Sequence, residues 1–341
     1  MSSAVLPERV RASDDAPDWY GERGMVSPSV EAAPVRVIYI AGYGRSGTTL
    51  LDIALGQHSG VMGAGEIATL ARHVWPNDEY CACGARVHSC PMWRGIVETW
   101  AQGDETDLID DFRRAQERTE TILGIGRLIE RWRSGRHAAR TSKLFEAIAT
   151  QSGCAVVVDS SKLPGRAFAL AATHGIELTV VHVVRDARGV AWSLKRGFKR
   201  QIDIGLQREL VPKPLLYTAL RWMIVNLATE RLCRRVGPSR SMRIRYEDFV
   251  SDPQGIVRRI LALAGRDVAV EPGFAPGPMF PKHQVAGSRH RMQPEIVVAQ
   301  DERWKGAMPR LQQWLITLVC APLLWRYGYP LRIAAAKEKG A

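Results

Sequence analysis

The 341-residue chain lacks any apolar run long enough to cross a bilayer. Its longest run, residues 314–325, contains Pro322 and falls well short of the ~20 residues a spanning helix needs, so a packed terminal helix is expected there. The first 34 residues lack an apolar core of signal-peptide length, because Asp14, Asp15, Asp18 and Glu22 interrupt them early. A disordered tail over 1–34, a short C-terminal tail over 331–341 and a cytoplasmic location are the corresponding expectations. Repeats, low-complexity segments, zinc-finger spacings and basic patches interleaved with aromatics are also missing, which argues against a nucleic-acid binder. Acids are the scarcer charge: 35 Asp and Glu against 47 Lys and Arg leave a net charge of +12. That excess implies a polyanionic partner, which a multiply charged nucleotide satisfies as well as nucleic acid or an anionic membrane.

The most informative stretch runs from Val37 to Leu51. Strand-forming Val37-Ile38-Tyr39-Ile40 feeds the turn Gly42-Tyr43-Gly44-Arg45-Ser46-Gly47, and Thr48-Thr49-Leu50-Leu51 opens at helical periodicity. Strand, glycine-rich turn and helix start in that order make an anion cradle of inward N–H groups at a helix N-terminus. Gly42 and Gly47 have the spacing of a nucleoside-triphosphate loop, but Thr48 stands where that loop has its Lys, and the cation has moved to Arg45.

Two further apolar strands are expected, at residues 155–159 and 178–184, each followed by a helical pattern. Strand–helix alternation implies an α/β, three-layer, P-loop-like fold with a central parallel sheet and its ligand at the carboxyl ends of the strands. The polar residues that stand out fall at those ends: residues 42–49, Asp159 to Lys162, and Arg185 to Arg188. Residues 107–136 carry apolar positions three, four or seven apart, an amphipathic helix expected to break near Gly124-Ile125-Gly126. Residues 75–150 thus form a helical insertion within one domain spanning 35–330, and the insertion is expected to shape an acceptor site together with residues 201–213.

Arg45-Ser46-Gly47-Thr48-Thr49-Leu50-Leu51 resembles the 5′-phosphosulfate loop of sulfotransferases that use 3′-phosphoadenosine-5′-phosphosulfate (PAPS). Arg185 at a strand end, with Ser193 eight residues on, resembles the family's 3′-phosphate motif; the bland alternative for Arg185 is a surface ion pair with Asp186. The resemblance covers residues 35–329 and implies several roles. Gly44, Arg45, Ser46, Gly47, Thr48, Thr49, Arg185, Ser193, Arg196 and one of Arg289 or Arg291, by preference Arg291, would bind the nucleotide. Arg45 and Lys162 would stabilise developing charge. Glu66, twenty-one residues after Arg45 and preceded by Gly-Ala-Gly, matches the general base of the tyrosylprotein and heparan-type branches, to which the motif spacing is nearest. His58 and His73 are weaker candidates for the base. Asp159 is expected to orient Lys162 or cap the next helix. The segment Arg245-Tyr246-Glu247-Asp248-Phe249 is expected to be structural, and residues 283–291 and 301–304 resemble a late loop and Trp motif of bacterial members. The implied activity is sulfuryl transfer from PAPS to a hydroxyl or amine of a carbohydrate, peptide or small metabolite, with no metal required. The alternative is a Mg-ATP-dependent phosphotransferase using the Asp159 strand.

Cys81, Cys83 and Cys90 cluster with His88 between them. Three thiols and an imidazole suit zinc, but C-x-C-x₆-C with His two residues before the last Cys is unusual ligand spacing, and a structural loop with or without a disulfide is favoured. Cys154, Cys233 and Cys320 fit buried small side chains.

Overall fold

The computed structural model describes residues 33–102, 105–120, 135–197, 199, 209–265 and 277–332. The tail expected over 1–34 lies almost wholly outside these residues, as do the break near Gly124, most of 201–213 and the C-terminal tail beyond Arg332. The described elements fall within one unit, Pro34–Ala341.

Strand β1, Val35–Ala41, pairs in parallel with β3, Val156–Lys162, on one side and with β4, Ile176–Val184, on the other. Two short strands extend the sheet. β2, Val61–Gly63, lies beyond β3, and β5, Ser241–Arg245, lies beyond β4, giving the order β2-β3-β1-β4-β5 with every pairing parallel. Alternate residues of β1 enter different cores: Val37 and Tyr39 pack with residues of the insertion, while Ile38 and Ile40 pack with Leu51, Ile53 and Ile260 on the opposite face. That division is the three-layer arrangement the near-continuous apolar strands require. β2 and β5 were not anticipated. Three and five residues are too short for periodicity to register, and β5 alternates Met242 and Ile244 with two arginines.

Helix α1, Thr48–Leu55, follows β1 through the glycine-rich turn. Residues after Glu66 form a 3₁₀ turn, Ile67–Thr69, followed by a π-type turn, Leu70–Val74. The insertion contributes α2, Pro91–Ala101, α3, Glu105–Thr119, and α4, Arg136–Ser152. Trp100 fixes their packing: its indole N–H donates to Arg140 O at 2.9 Å, and its ring meets Phe112 edge-on at 4.9 Å. β3 leads into α5, Pro164–Leu170, and β4 into α6, Ala187–Arg196. The terminal helix expected near 314–325 is present as part of Arg310–Arg326. It buries Ile316, Cys320, Leu323 and Leu324 while leaving Leu311, Leu318 and Trp325 exposed. Among the described residues no helix is long and apolar enough to cross a membrane.

Candidate active site

The strand ends converge on one cavity of about 670 Å³. Its floor is the turn after β1. Gly47 caps α1 at φ 84°, and a Cβ there would lie 2.5 Å from the Tyr246 ring, so neither the backbone nor the space accepts a side chain. Arg45 and Lys162 also adopt left-handed backbone, at φ 70° and 69°. Such strain, about 1–3 kcal/mol per residue, persists only where surrounding contacts impose it. Both residues are cations lining the cavity.

Gly44, Gly47, Thr48 and Thr49 line the floor, Glu66 and Lys162 one wall, and Arg185 and Tyr246 another, while Leu194, Leu210, residues 287–290 and parts of 293–303 contribute further lining. Arg45, Lys162, Arg185, Arg289 and Arg303 outnumber the lining acids Glu66, Glu295 and Asp301. Burial, with Arg185 and Arg289 close by, pushes the Arg45 guanidinium below its ordinary pKa. Burial, again with Arg45 and Arg289, does the same to the His290 imidazolium. Burial comes first in both cases and the like-charged neighbours add to it, in a cavity whose lining cations outnumber its acids.

A latch joins two of the expected motifs. Arg45 Nε donates to Ser193 Oγ at 2.9 Å, and Arg185 Nη1 donates to Arg45 O at 3.0 Å. Arg185 Nη2 reaches Asp301 O at 2.9 Å and Asp301 Oδ2 at 3.3 Å, and its guanidinium lies 4.4 Å from the centre of the Tyr246 ring. A hydrogen bond from Arg303, helped by Arg185, holds the Asp301 carboxyl down to about 2. Thr49 Oγ1 accepts from Ser288 N at 3.2 Å, tying the turn to the late loop. Glu66 and Lys162 form an ion pair on the cavity wall. The Glu66 amide donates to Val285 O at 2.9 Å, which fixes the carboxylate's backbone. Ser46 lies buried beneath the turn.

Some expected residues lie elsewhere. Arg291 is buried away from the cavity and donates to Tyr80 O at 2.7 Å; its neighbour Arg289 faces the cavity instead. The two-position step between them in the short turn Arg289–Met292 puts their side chains on different sides of it. Arg196 is exposed in the last turn of α6 and does not line the cavity. Asp159 does not orient Lys162: it is fully buried, pairs with Arg166 Nε at 2.7 Å and accepts from Ser161 N at 2.9 Å. His58 is buried, and His73 Nδ1 sits 2.8 Å from Glu79 Oε1; neither lines the cavity. Residues 75–150 also contribute nothing to its described lining, whereas Leu210 does.

Tyr246 is the lining residue that sequence reasoning assigned to structure alone. Its position directly after a short strand aligned with β4 is the signal, and it becomes readable only once β5 is seen. Asp301 was noted only within a motif, without its task of holding Arg185 and Arg303.

A glycine-rich turn without the nucleotide-loop Lys, opening a helix beside a parallel sheet with cations at three strand ends, is a P-loop-like α/β arrangement. Residues 37–270 match the family model described as "Sulfotransferase family", and the chain belongs to that family. It is similar to a sulfotransferase domain from the curacin biosynthetic pathway, at 17% identity and TM-score 0.50 over 88% of this chain and 100% of that one. A sulfotransferase domain from the Synechococcus PCC 7002 olefin synthase gives 18% and 0.49 over 87% and 97%. The sulfotransferase STF9 from Mycobacterium avium gives 13% and 0.46 over 88% and 78%. No curated protein matches the chain.

Proposed function

We propose that this sulfotransferase takes its sulfuryl group from PAPS and delivers it to a hydroxyl or amine acceptor, with Glu66 as the general base. The carrying observation is the cavity itself: Arg45, Lys162, Arg185 and Arg289 line a common space beside the N-terminus of α1, and the lining cations outnumber the lining acids. Those residues fit a ligand with phosphate-like groups at two places. Arg45, Thr48, Thr49 and the turn amides would hold the 5′-phosphosulfate, and Arg185, with Ser193 behind Arg45 and Arg289 opposite, the 3′-phosphate. When bound, PAPS supplies an activated sulfuryl group that passes in line to the acceptor as 3′-phosphoadenosine-5′-phosphate departs.

The chain's own residues act around that transfer. Glu66, on the cavity wall, accepts the proton of the acceptor as it attacks. Lys162, paired with Glu66, positions that carboxylate and offers its ammonium to the oxygen on which charge develops. Preorganised donors of this kind commonly form the largest catalytic term. Fixed cations take the place that a metal ion holds in phosphotransferases, and Asp159, engaged by Arg166, is not placed to act as a metal ligand.

The test compares 3′-phosphoadenosine-5′-phosphate with ADP and ATP in a thermal-shift assay, with and without Mg²⁺. Saturation at a hundred times Kd stabilises by about 2.7 kcal/mol. Metal-independent preference for the 3′-phosphorylated nucleotide is expected. A Mg²⁺-dependent preference for ATP would overturn the proposal.

A further inference from the structure

The Cys-rich loop is built as a ligand set. Cys81 N donates to Ala85 O at 2.8 Å and Gly84 N to Cys81 O at 3.0 Å, a tight turn that presents Cys81 and Cys83 together. Cys90 caps α2, with Pro91 at the first helical position. The imidazole beside them is not that of His88, whose Nε2 lies 2.9 Å from Trp75 O and whose ring packs on Trp75. It is that of His283, from the far end of the chain. Trp93 Nε1 donates to His283 O at 2.7 Å and Ala82 N to Gln284 O at 3.1 Å, so the backbones that carry the two halves of the set are locked together.

The four donor atoms lie within 4.8 Å of one another. His283 Nδ1 is 3.5 Å from Cys90 Sγ and 3.7 Å from Cys81 Sγ, and Cys83 Sγ is 3.7 Å from Cys90 Sγ. A tetrahedron with Zn–S of ~2.3 Å and Zn–N of ~2.0 Å has S···S edges of about 3.8 Å and S···N edges of about 3.5 Å. The three observed separations are close to those edges, and the remaining pairs lie within 4.8 Å. All six cysteines are unbridged thiols.

We propose that Cys81, Cys83, Cys90 and His283 bind one Zn²⁺ in a closed structural site that fastens the helical insertion to the late loop. The thiolate-rich donor set suits zinc and disfavours magnesium or calcium. Binding releases three thiol protons to the buffer and engages neutral His283 through Nδ1. Four protein ligands leave no position for water, so the ion is not a catalytic centre. The site carries one net negative charge, and the buried guanidinium of Arg291, bonded to the carbonyl of Tyr80 next to Cys81, lies beside it. The fastening reaches the donor cavity through two residues of backbone. Val285 bridges both Cys81 and Gly65 and accepts from the Glu66 amide, and residues 287–290 then enter the cavity wall. None of this depends on which donor the cavity takes.

The full chain, purified without chelator, is assayed for metal by elemental mass spectrometry and then reloaded with Co²⁺. One zinc per chain is expected, with the thiolate-to-cobalt charge-transfer band and the visible bands of a tetrahedral site. Cys83→Ser changes only the exposed ligand and should fold; it is expected to lose zinc readily to a chelator that leaves the parent loaded. His283→Ala should do the same, while His88→Ala keeps the parent's metal content. A sub-stoichiometric metal content with free thiols, a Cys83–Cys90 disulfide by mass spectrometry under non-reducing conditions, or metal loss in His88→Ala but not in His283→Ala would each overturn the assignment.

Discussion

Arg166, and Arg45 with its neighbours Arg185 and Arg289, differ in what surrounds them. Arg166 is completely buried behind β3, with Asp159 Oδ2 at 2.7 Å and Glu120 Oε1 at 2.9 Å, and these two carboxylates raise its guanidinium above its ordinary pKa despite burial. Arg45, on the other side of the same strand ends, is pushed the opposite way, by burial and by Arg185 and Arg289. The first group is neutralised within the fold and needs no ligand. The second holds charge that the protein leaves uncompensated, which is the condition of an anion site. What sets the two apart is the local charge balance: Arg166 faces two carboxylates, whereas Arg45 faces two further guanidinium groups.

That contrast can be broken in graded steps. The largest effect is expected from Glu66→Gln, which removes the proposed base from the cavity. Turnover should fall by about 10²–10⁴-fold while nucleotide affinity stays near the parent's; retained turnover in steady-state kinetics would place the base elsewhere. Arg166→Met strands Asp159 and Glu120 and should cost about 3–5 kcal/mol in urea unfolding, with no change in nucleotide preference among molecules that fold. An unchanged midpoint would mean the buried cluster is dispensable.

Asp52 supplies a buried acid with no cation beside it. It accepts from Gly65 N at 3.0 Å, and burial pushes its carboxyl up to about 7, the hydrogen bonds from Ser160, Gly65 and Gln284 only partly offsetting this. Its folded pKa lies above its unfolded value near 3.9, so the folded state keeps a proton that the unfolded state has lost. Stability from this group therefore grows as pH falls through 7 and is complete below about pH 4. Comparison with Asp52→Asn isolates it from His182, whose imidazole burial pushes down to about 4 and whose contribution has the opposite slope. The parent's advantage over the variant should rise by up to about 4 kcal/mol between pH 8 and pH 4; a constant difference in urea midpoints would mean Asp52 stays ionised. The smallest effect is expected for Arg185→Ala, about 10–100-fold weaker binding of 3′-phosphoadenosine-5′-phosphate. Its 3′-dephosphorylated analogue should lose much less, and equal losses by calorimetry would mean Arg185 does not meet that phosphate.

What could be read without the structure follows chain distance. The turn from Gly42 to Thr49 is legible because strand, glycines, cation and helix start are contiguous, and β3 and β4 because long apolar runs announce them. The Asp159–Arg166 pair spans a strand–helix join, so Asp159 was linked to the nearer Lys162. His283 stands 193 residues from Cys90, and no local spacing could select it over His88. Arg289 and Arg291 differ by how a four-residue turn is wound, which sequence does not encode at that resolution.

The latch between Arg45 and Arg185 has a thermodynamic consequence. Arg45 reaches Ser193 with its side chain, and Arg185 grips the carbonyl of Arg45, which is the residue held at φ 70°. Each end of the cavity thus stabilises the conformation of the other before any ligand arrives. An anion that reorients either guanidinium alters the hold on both, so affinities at the two ends are linked and the linkage is reciprocal. The affinity of a nucleotide carrying both anionic groups should then differ from the sum expected from its two singly anionic analogues, and truncating either arginine should largely erase that difference.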